Sequence, residues 1–249
     1  MKFCVLASGS KGNCTYLEIG NYKFLIDIGT NFLYTSTKLK EINVEPSEIN
    51  AIFITHIHED HIAGLKRFIK MCNPKIYLTK KMKDNLELEI SNYEIYEETI
   101  ECYENIKIST VKLSHDTPDC RGYIFEHEEK SLAYITDTGY INIKHHKILT
   151  NKTAYIIESN HDVDMLMNSK RYRPLKMRIL GDEGHISNKD CNYYLSKFVT
   201  DDTKFIVLAH LSEEANTPDL AYETVSKNLE NTPIIIAKQH DRIEMIDLW

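Results

Sequence analysis

Four residues able to ligate a metal fall within six positions: His56, His58, Asp60 and His61, in the run THIHEDH. The run follows an apolar segment, AIFIT, and leads into an amphipathic one, HIAGLKRFIKMC. In extended backbone, side chains two apart share a face, so His56 and His58 can hold one cation. A turn into helix re-aims Asp60 and His61 toward a neighbouring position. Imidazole with carboxylate suits zinc, manganese or iron better than calcium or magnesium. A polar loop that happens to hold three histidines is the alternative, and the density of ligand types at a strand-to-helix junction argues against it. Two cations about 3.5–4 Å apart need further ligands. His115, Asp137 and His210 are the candidates. Each sits just past an apolar run, IKISTVKL, LAYIT and KFIVLA, and open α/β layers place their sites at the carboxyl ends of strands.

The elements that must position these residues follow from apolar runs bounded by turn residues. Strands are expected at 3–7, 15–19, 22–27, 51–55, 75–78, 106–113, 122–127, 132–136, 154–158, 205–209, 234–237 and 244–246. Helices are expected at 32–42, 61–72, 80–90, 142–149, 188–199 and 218–228. Ser187 can cap the helix that begins SNKD, and Thr217 with Pro218 supplies a cap and a first-turn proline. Strands with interspersed helices in both halves point to an α/β chain with a sheet-on-sheet core covered by helices. Periodicity alone leaves an ordinary doubly wound sheet open.

The order of these residues resembles the metallo-β-lactamase superfamily, with its H-x-H-x-D-H run, later histidine, bridging aspartate and final histidine. The resemblance extends from SGSKGN to the last strand. It implies a four-layer αβ/βα fold, two β-sheets face to face with helices outside, over one domain spanning 1–249. By position it implies that His56, His58 and His115 hold a first divalent ion, Zn2+ or Mn2+ with iron as a further option. Asp60, His61 and His210 would hold a second, and Asp137 would bridge them. Asp27 in FLIDIG would support the metal-binding loop. The stretches SGSKGNCTYLE, ESNHD, LKMRILGDEGHISN and LAHLSEEANTP look like the WalJ/YycJ-type, exonuclease-like branch. They are also similar to cyclic phosphodiesterases of phosphonate metabolism and to short transfer-RNA-processing nucleases. His185, in EGHIS, matches a histidine that lies beside the metals in those phosphodiesterases and serves phosphate or leaving group. Asp137 and His210 are 73 positions apart, too few for the inserted domain of the β-CASP nucleases. The intact H-x-H-x-D-H run also differs from flavo-diiron proteins.

The implied function is a dinuclear phosphodiesterase or nuclease, with a 5′-3′ exonuclease among the forms the resemblance implies, Asp60 orienting the nucleophilic hydroxide and His185 serving the leaving group. The rivals are a small-molecule hydrolase for a lactone, thioester or β-lactam, and a metal-bound regulatory protein. The net charge of −7 argues against a general nucleic-acid coat but allows a local basic channel. Lys170, Arg171, Arg173, Lys176 and Arg178 could line one and guide a phosphate backbone, or form a solvated loop and strand face. Asn160, with His161 and Asp162 in ESNHD, is a candidate substrate contact, and capping of a following helix is the rival for the latter pair. The loop Ser8–Asn13 either approaches a phosphate or makes a tight turn. Asp116 orients a ligand or caps a turn. His240 and Asp241 read as an exposed turn, and His127, His145 and His146 as surface. The six cysteines include no C-x-x-C pair. With no secretory h-region and no apolar stretch near the ~20 residues of a membrane helix, a cytoplasmic protein with reduced thiols is expected.

Overall fold

The computed structural model describes residues 1–229 and 232–249. Fourteen strands form two seven-stranded sheets. The first contains β1 (Lys2–Ala7), β2 (Cys14–Ile19), β3 (Tyr22–Ile26), β4 (Ala51–Phe53), β5 (Lys75–Leu78) and β6 (Tyr93–Ile95). The second contains β7 (Thr99–Tyr103), β8 (Ile106–Lys112), β9 (Arg121–His127), β10 (Lys130–Ile135), β11 (Ala154–Glu158), β12 (Phe205–Ala209) and β13 (Ile234–Ile236). The last strand, β14 (Ile246–Asp247), returns to pair with β1.

Both sheets follow one plan. An antiparallel meander, β1–β2–β3 or β7–β8–β9–β10, gives way to parallel neighbours, β3–β4–β5–β6 or β10–β11–β12–β13. Parallel pairing needs crossovers, and those crossovers carry the helices. Strands of the second sheet alternate between two buried faces. Ala154 and Ile156 of β11 join Phe24, Phe53, Tyr123 and Phe125 in the core between the sheets. Tyr155 and Ile157 turn the other way, against Ile186, Leu195 and Phe198. The αβ/βα expectation therefore holds, and the open choice of a single doubly wound sheet is closed.

Most expected elements appear within a residue or two. The helix expected over 61–72 is instead two pieces, Glu59–Ile62 and Leu65–Cys72. The backbone N–H of Gly64 donates to the Ile28 carbonyl, so the chain bends to meet the loop after β3. The helix expected over 80–90 stops at Asn85. Ile90 is still buried, in the core between the sheets. Strands β6 and β7 were missed; the first is short and largely exposed. Helices Val163–Asn168 and Arg173–Leu180 were also missed. In the second, basic residues hide the apolar positions Leu175, Ile179 and Leu180, which pack against Leu166 and Ala215.

The expected helix starts are present. Ser187 caps Asn188–Phe198 in a reciprocal box with Asp190. Thr217 caps Pro218–Val225, with proline in the first turn. Cys4, Cys14, Cys72, Cys120 and Cys191 are free thiols; the side chain of Cys102 lies outside the described residues. Among the described residues, no helix is long and apolar enough to cross a membrane.

Candidate metal centre

Six strand ends on one edge of the sandwich supply the site. The backbone turns sharply after three of them: Asp27 after β3, Asp137 after β10 and His210 after β12 have φ of 58°, 59° and 55°. None is glycine, so each carries backbone strain of roughly 1–3 kcal/mol that the surrounding packing must hold. Asp27 and Asp137 follow corresponding strands of the two halves, the first to enter the parallel part of each sheet.

The residues expected to bind metal converge. Donor atoms of His56, His58 and His115 lie within 4.8 Å of one another, as do those of Asp60, His61 and His210. Asp137 lies between the sets. Its Oδ2 is 3.1 Å from His61 Nε2, and its Oδ1 is 3.9 Å from His115 Nε2 and 3.3 Å from His210 Nδ1.

Four imidazoles have one nitrogen fixed by the protein. His61 Nδ1 faces Asp27 Oδ2 at 2.7 Å, and His210 Nδ1 faces Glu158 Oε1 at 2.9 Å. His115 Nδ1 faces the Gly184 carbonyl at 3.2 Å, and His56 Nδ1 faces Thr55 Oγ1 at 3.1 Å. This leaves Nε2 of His56, His115 and His210 for a ligand, the usual arrangement around a metal, while that of His61 also meets the Asn13 side chain. His56 Nε2, His210 Nε2 and Asp137 Oδ2 are buried with no hydrogen-bond partner. Orphaned buried donors and acceptors are costly, and a divalent cation on either side of Asp137 would satisfy all three. The residues present therefore fit a pair of divalent ions.

Electrostatics agree. Burial would disfavour a protonated His61, but Asp137 and Asp27 outweigh it and hold the imidazole up to about 10. Burial and the neighbouring histidines push His56 well below its ordinary value, and burial also lowers His115. Asp137 is held well below the carboxylate range despite its burial, first by His210 and His61. A concentration of carboxylate charge deep in the molecule calls for cationic partners.

The supporting loops are packed backbone to backbone. Gly29 N–H donates to the Asn13 carbonyl, Asn13 N–H to the Asp60 carbonyl and Ile28 N–H to the His61 carbonyl. A Cβ on Gly29 would sit 1.6 Å from the Asp60 carbonyl oxygen. The loop Ser8–Asn13 thus buttresses the centre. Asn13 Nδ2 also lies 2.9 Å from His61 Nε2, and Ser8 Oγ accepts from the His210 N–H at 2.7 Å.

Glu158 escaped the sequence reading although ESNHD was singled out. It is fully buried, and Oε1 receives both His185 Nδ1, at 2.7 Å, and His210 Nδ1. Oε2 accepts from the backbone N–H groups of Thr138 and Ile186. Asp137, Glu158, His185 and His210 are also close enough to suit a cation. These four donors already occupy Glu158, so we read that group as a hydrogen-bond network. The available signal for Glu158 was its place at the end of β11, which corresponds to β4 and its THIHEDH extension in the other half.

His185 is partly exposed, its ring 5.1 Å from that of His115 and 5.2 Å from that of His210. Asn160, expected to meet substrate, is instead buried and donates to the His210 carbonyl at 2.8 Å. His161 is buried with neither nitrogen hydrogen-bonded, and Asp162 caps Val163–Asn168. Asp116 pairs with Arg178 and reaches within 3.6 Å of His115 Nε2.

The expected basic channel is largely committed elsewhere. Arg171 binds Glu214 and Ser212. Lys176 is buried, donating to the Met167 and Ser169 carbonyls. Lys170 and Arg173 are exposed, with no ion pair among the described residues. The run lies on a helix and its approach, rather than on a loop and strand. His240 is exposed beside Lys11 and Glu213, as expected of a turn. His127, His145 and His146 are half-buried instead of fully exposed, because the first packs edge-on to Trp249 and the last packs against Tyr194 and Phe198.

Two sheets of this topology with ligands at one edge define a metallohydrolase-type fold, and a Beta-lactamase superfamily domain model matches residues 22–210. The chain belongs to that superfamily. Within it, the chain is 34% identical over 236 residues to exodeoxyribonuclease YycJ of Bacillus anthracis, covering 92% of this chain and 89% of that one. It is 36% identical to exodeoxyribonuclease WalJ of Streptococcus pneumoniae, covering 92% and 88%. Among solved structures, the metallo-β-lactamase fold protein YhfI of Bacillus subtilis superposes with a TM-score of 0.72 at 15% identity, covering 97% of this chain and 98% of that one. Short-form human tRNase Z superposes with a TM-score of 0.68 at 16% identity, covering 98% and 99%. Those two likenesses establish the fold.

Proposed function

We propose that the chain is a dinuclear metal-dependent phosphodiesterase that degrades nucleic acid from a free end, in the cytoplasm, as one domain over 1–249 without a β-CASP insertion. The observation that carries the reading is the Glu158–His185 pair beside the two ligand sets. A hydrolase that expels a stable thiolate from a thioester has less need of a proton donor on its leaving group than one that expels an alkoxide. The names of the YycJ and WalJ relatives support the polymer substrate.

His56, His58 and His115 would hold one ion, Asp60, His61 and His210 the other, and Asp137 would touch both. Zinc or manganese fits these donors. Bound ions supply Lewis acidity and a nucleophilic hydroxide near neutral pH. Asp60, reached by both His61 Nε2 and His210 Nε2 at 3.6 Å, orients the attacking water. Glu158 holds the His185 Nδ1 proton, so Nε2 is the nitrogen presented outward. In its charged form Nε2–H donates to a non-bridging phosphate oxygen or gives its proton to the departing oxygen.

The test is a substrate panel with zinc- or manganese-loaded protein: a bis-aryl phosphate, labelled single- and double-stranded DNA, RNA, a thioester, a lactone and a lactam. Metal-dependent cleavage of phosphodiesters, with mononucleotides released progressively from labelled DNA, is expected. Turnover confined to the lactone, thioester or lactam would overturn the proposal.

A further inference from the structure

Beside the His115 ligand lies a cavity of about 370 Å³ that no part of the catalytic description uses. Its walls include Lys112, His115, Tyr140, Asn142, Lys144 and Glu183. The volume is at the low end of the roughly 300–1,000 Å³ of small-molecule sites, room for one nucleotide and too small for a duplex.

We infer that this cavity is a nucleotide subsite, in which the base of the nucleotide next to the scissile bond stacks on Tyr140 and its phosphate meets Lys112 and Lys144. The inference rests on the nuclease reading above and names the part of the substrate that the centre itself does not hold.

Three observations carry it. Tyr140 is an aromatic ring left 39% exposed three residues after the bridging Asp137. An exposed aromatic residue lining a wet cleft offers a platform for a base, and such stacking is sequence-tolerant. Secondly, the platform is fixed before any ligand arrives. Gly139 N–H donates to the Ser114 carbonyl, Ser114 N–H to Thr138 Oγ1, Thr138 Oγ1 to the Tyr140 carbonyl and Ile141 N–H to the Tyr194 hydroxyl. A Cβ on Gly139 would sit 2.2 Å from the Asp182 carbonyl, so the turn cannot shift without the neighbouring loop. Thirdly, the two lysines are exposed with no ion pair among the described residues, whereas Arg171, Lys176 and Arg178 are committed to protein partners. Asp119, which also lines the cavity, is paired with Arg121. Glu183 then remains to accept hydrogen bonds from exocyclic amines or sugar hydroxyls.

The experiment is calorimetric titration of the metal-loaded protein with 2′-deoxyadenosine 5′-monophosphate, with inorganic phosphate as the control. The nucleotide is expected to bind at least tenfold tighter than phosphate. Tyr140→Ala should remove that advantage, and the pair K112E with K144E should weaken the binding of nucleotide and phosphate alike, each with metal content unchanged by elemental analysis. Tyr140→Phe should keep it, since the ring and not the hydroxyl does the stacking. Equal affinity for nucleotide and phosphate, or full nucleotide affinity in Tyr140→Ala, overturns the subsite. The nuclease reading fails separately: Tyr140-dependent nucleotide binding in a protein that cleaves no phosphodiester would keep the subsite and discard the activity.

Discussion

At the scale of single residues, the centre assigns each imidazole a role through what its second nitrogen touches. His185 shares Glu158 with His210, and differs from it in a ring that remains partly open. Removing it should cost the chemical step and spare the ions. In His185→Ala, kcat on a bis-aryl phosphate should fall about 10²–10⁴-fold, with metal stoichiometry by elemental analysis equal to wild type. Loss of metal in that variant would make His185 a ligand. His161 provides a pH signature instead. Burial holds its imidazole down to about 4, against about 6.5 when unfolded. A depressed histidine leaves stability intact above pH 6.5 and drains it as pH falls toward 4, because only the unfolded chain takes up the proton in that window. In metal-free protein the midpoint of urea unfolding should fall across this range, by the equivalent of about 2–3 kcal/mol. His161→Phe should flatten the fall; an unchanged pH slope in that variant would assign it to other groups.

At the scale of elements, the ligands are placed by loops that touch through their backbones. The loop after β3, the Ser8–Asn13 loop and the Glu59–Ile62 helix form one hydrogen-bonded knot. Gly29 lies at its tightest point, where the limit is the approach of the Asp60 carbonyl. Gly29→Ala should therefore destabilise by more than about 3 kcal/mol and lower metal affinity together, since the displaced carbonyl belongs to a ligand residue. Chemical denaturation and metal titration check both parts. A variant with wild-type metal affinity would show that the knot does not position Asp60. The same knot breaks the helix expected over 61–72 and so directs Asp60 and His61 into the centre.

At the scale of the whole molecule, each half supplies part of the candidate cation site, so bound ions would couple the two sheets. The first sheet's strand ends bring His56, His58, Asp60 and His61; the second's bring His115, Asp137 and His210. A ligand that binds only the folded state at about 100 times its Kd adds about 2.7 kcal/mol. For a chain of this size, removing metal with a chelator should lower Tm by about 5–10 °C. Readdition of zinc or manganese should restore it, as scanning calorimetry would record. A Tm indifferent to chelation would mean that the two halves are held together without the ions.

The sequence by itself determined the ligand types and the strands that carry them. Local patterns reveal such things: alternating burial, a strand-to-helix junction, a cap such as Ser187, and a histidine or aspartate at the end of an apolar run. The resemblance to the superfamily marked Asp27, in the strand-end run FLIDIG, as a support. Tertiary structure alone decided the rest. Glu158 became the partner of His185 because β11 delivers a buried carboxylate beside residues 27 and 52 positions away, and no local pattern encodes that pairing. Asn160 turned inward as a brace. Lys176 was drawn onto backbone carbonyls, while Lys112 and Lys144 were left free. A side chain's charge is written in the sequence; whether that charge meets a partner or solvent depends on which distant segment packs against it, and only the folded chain fixes that.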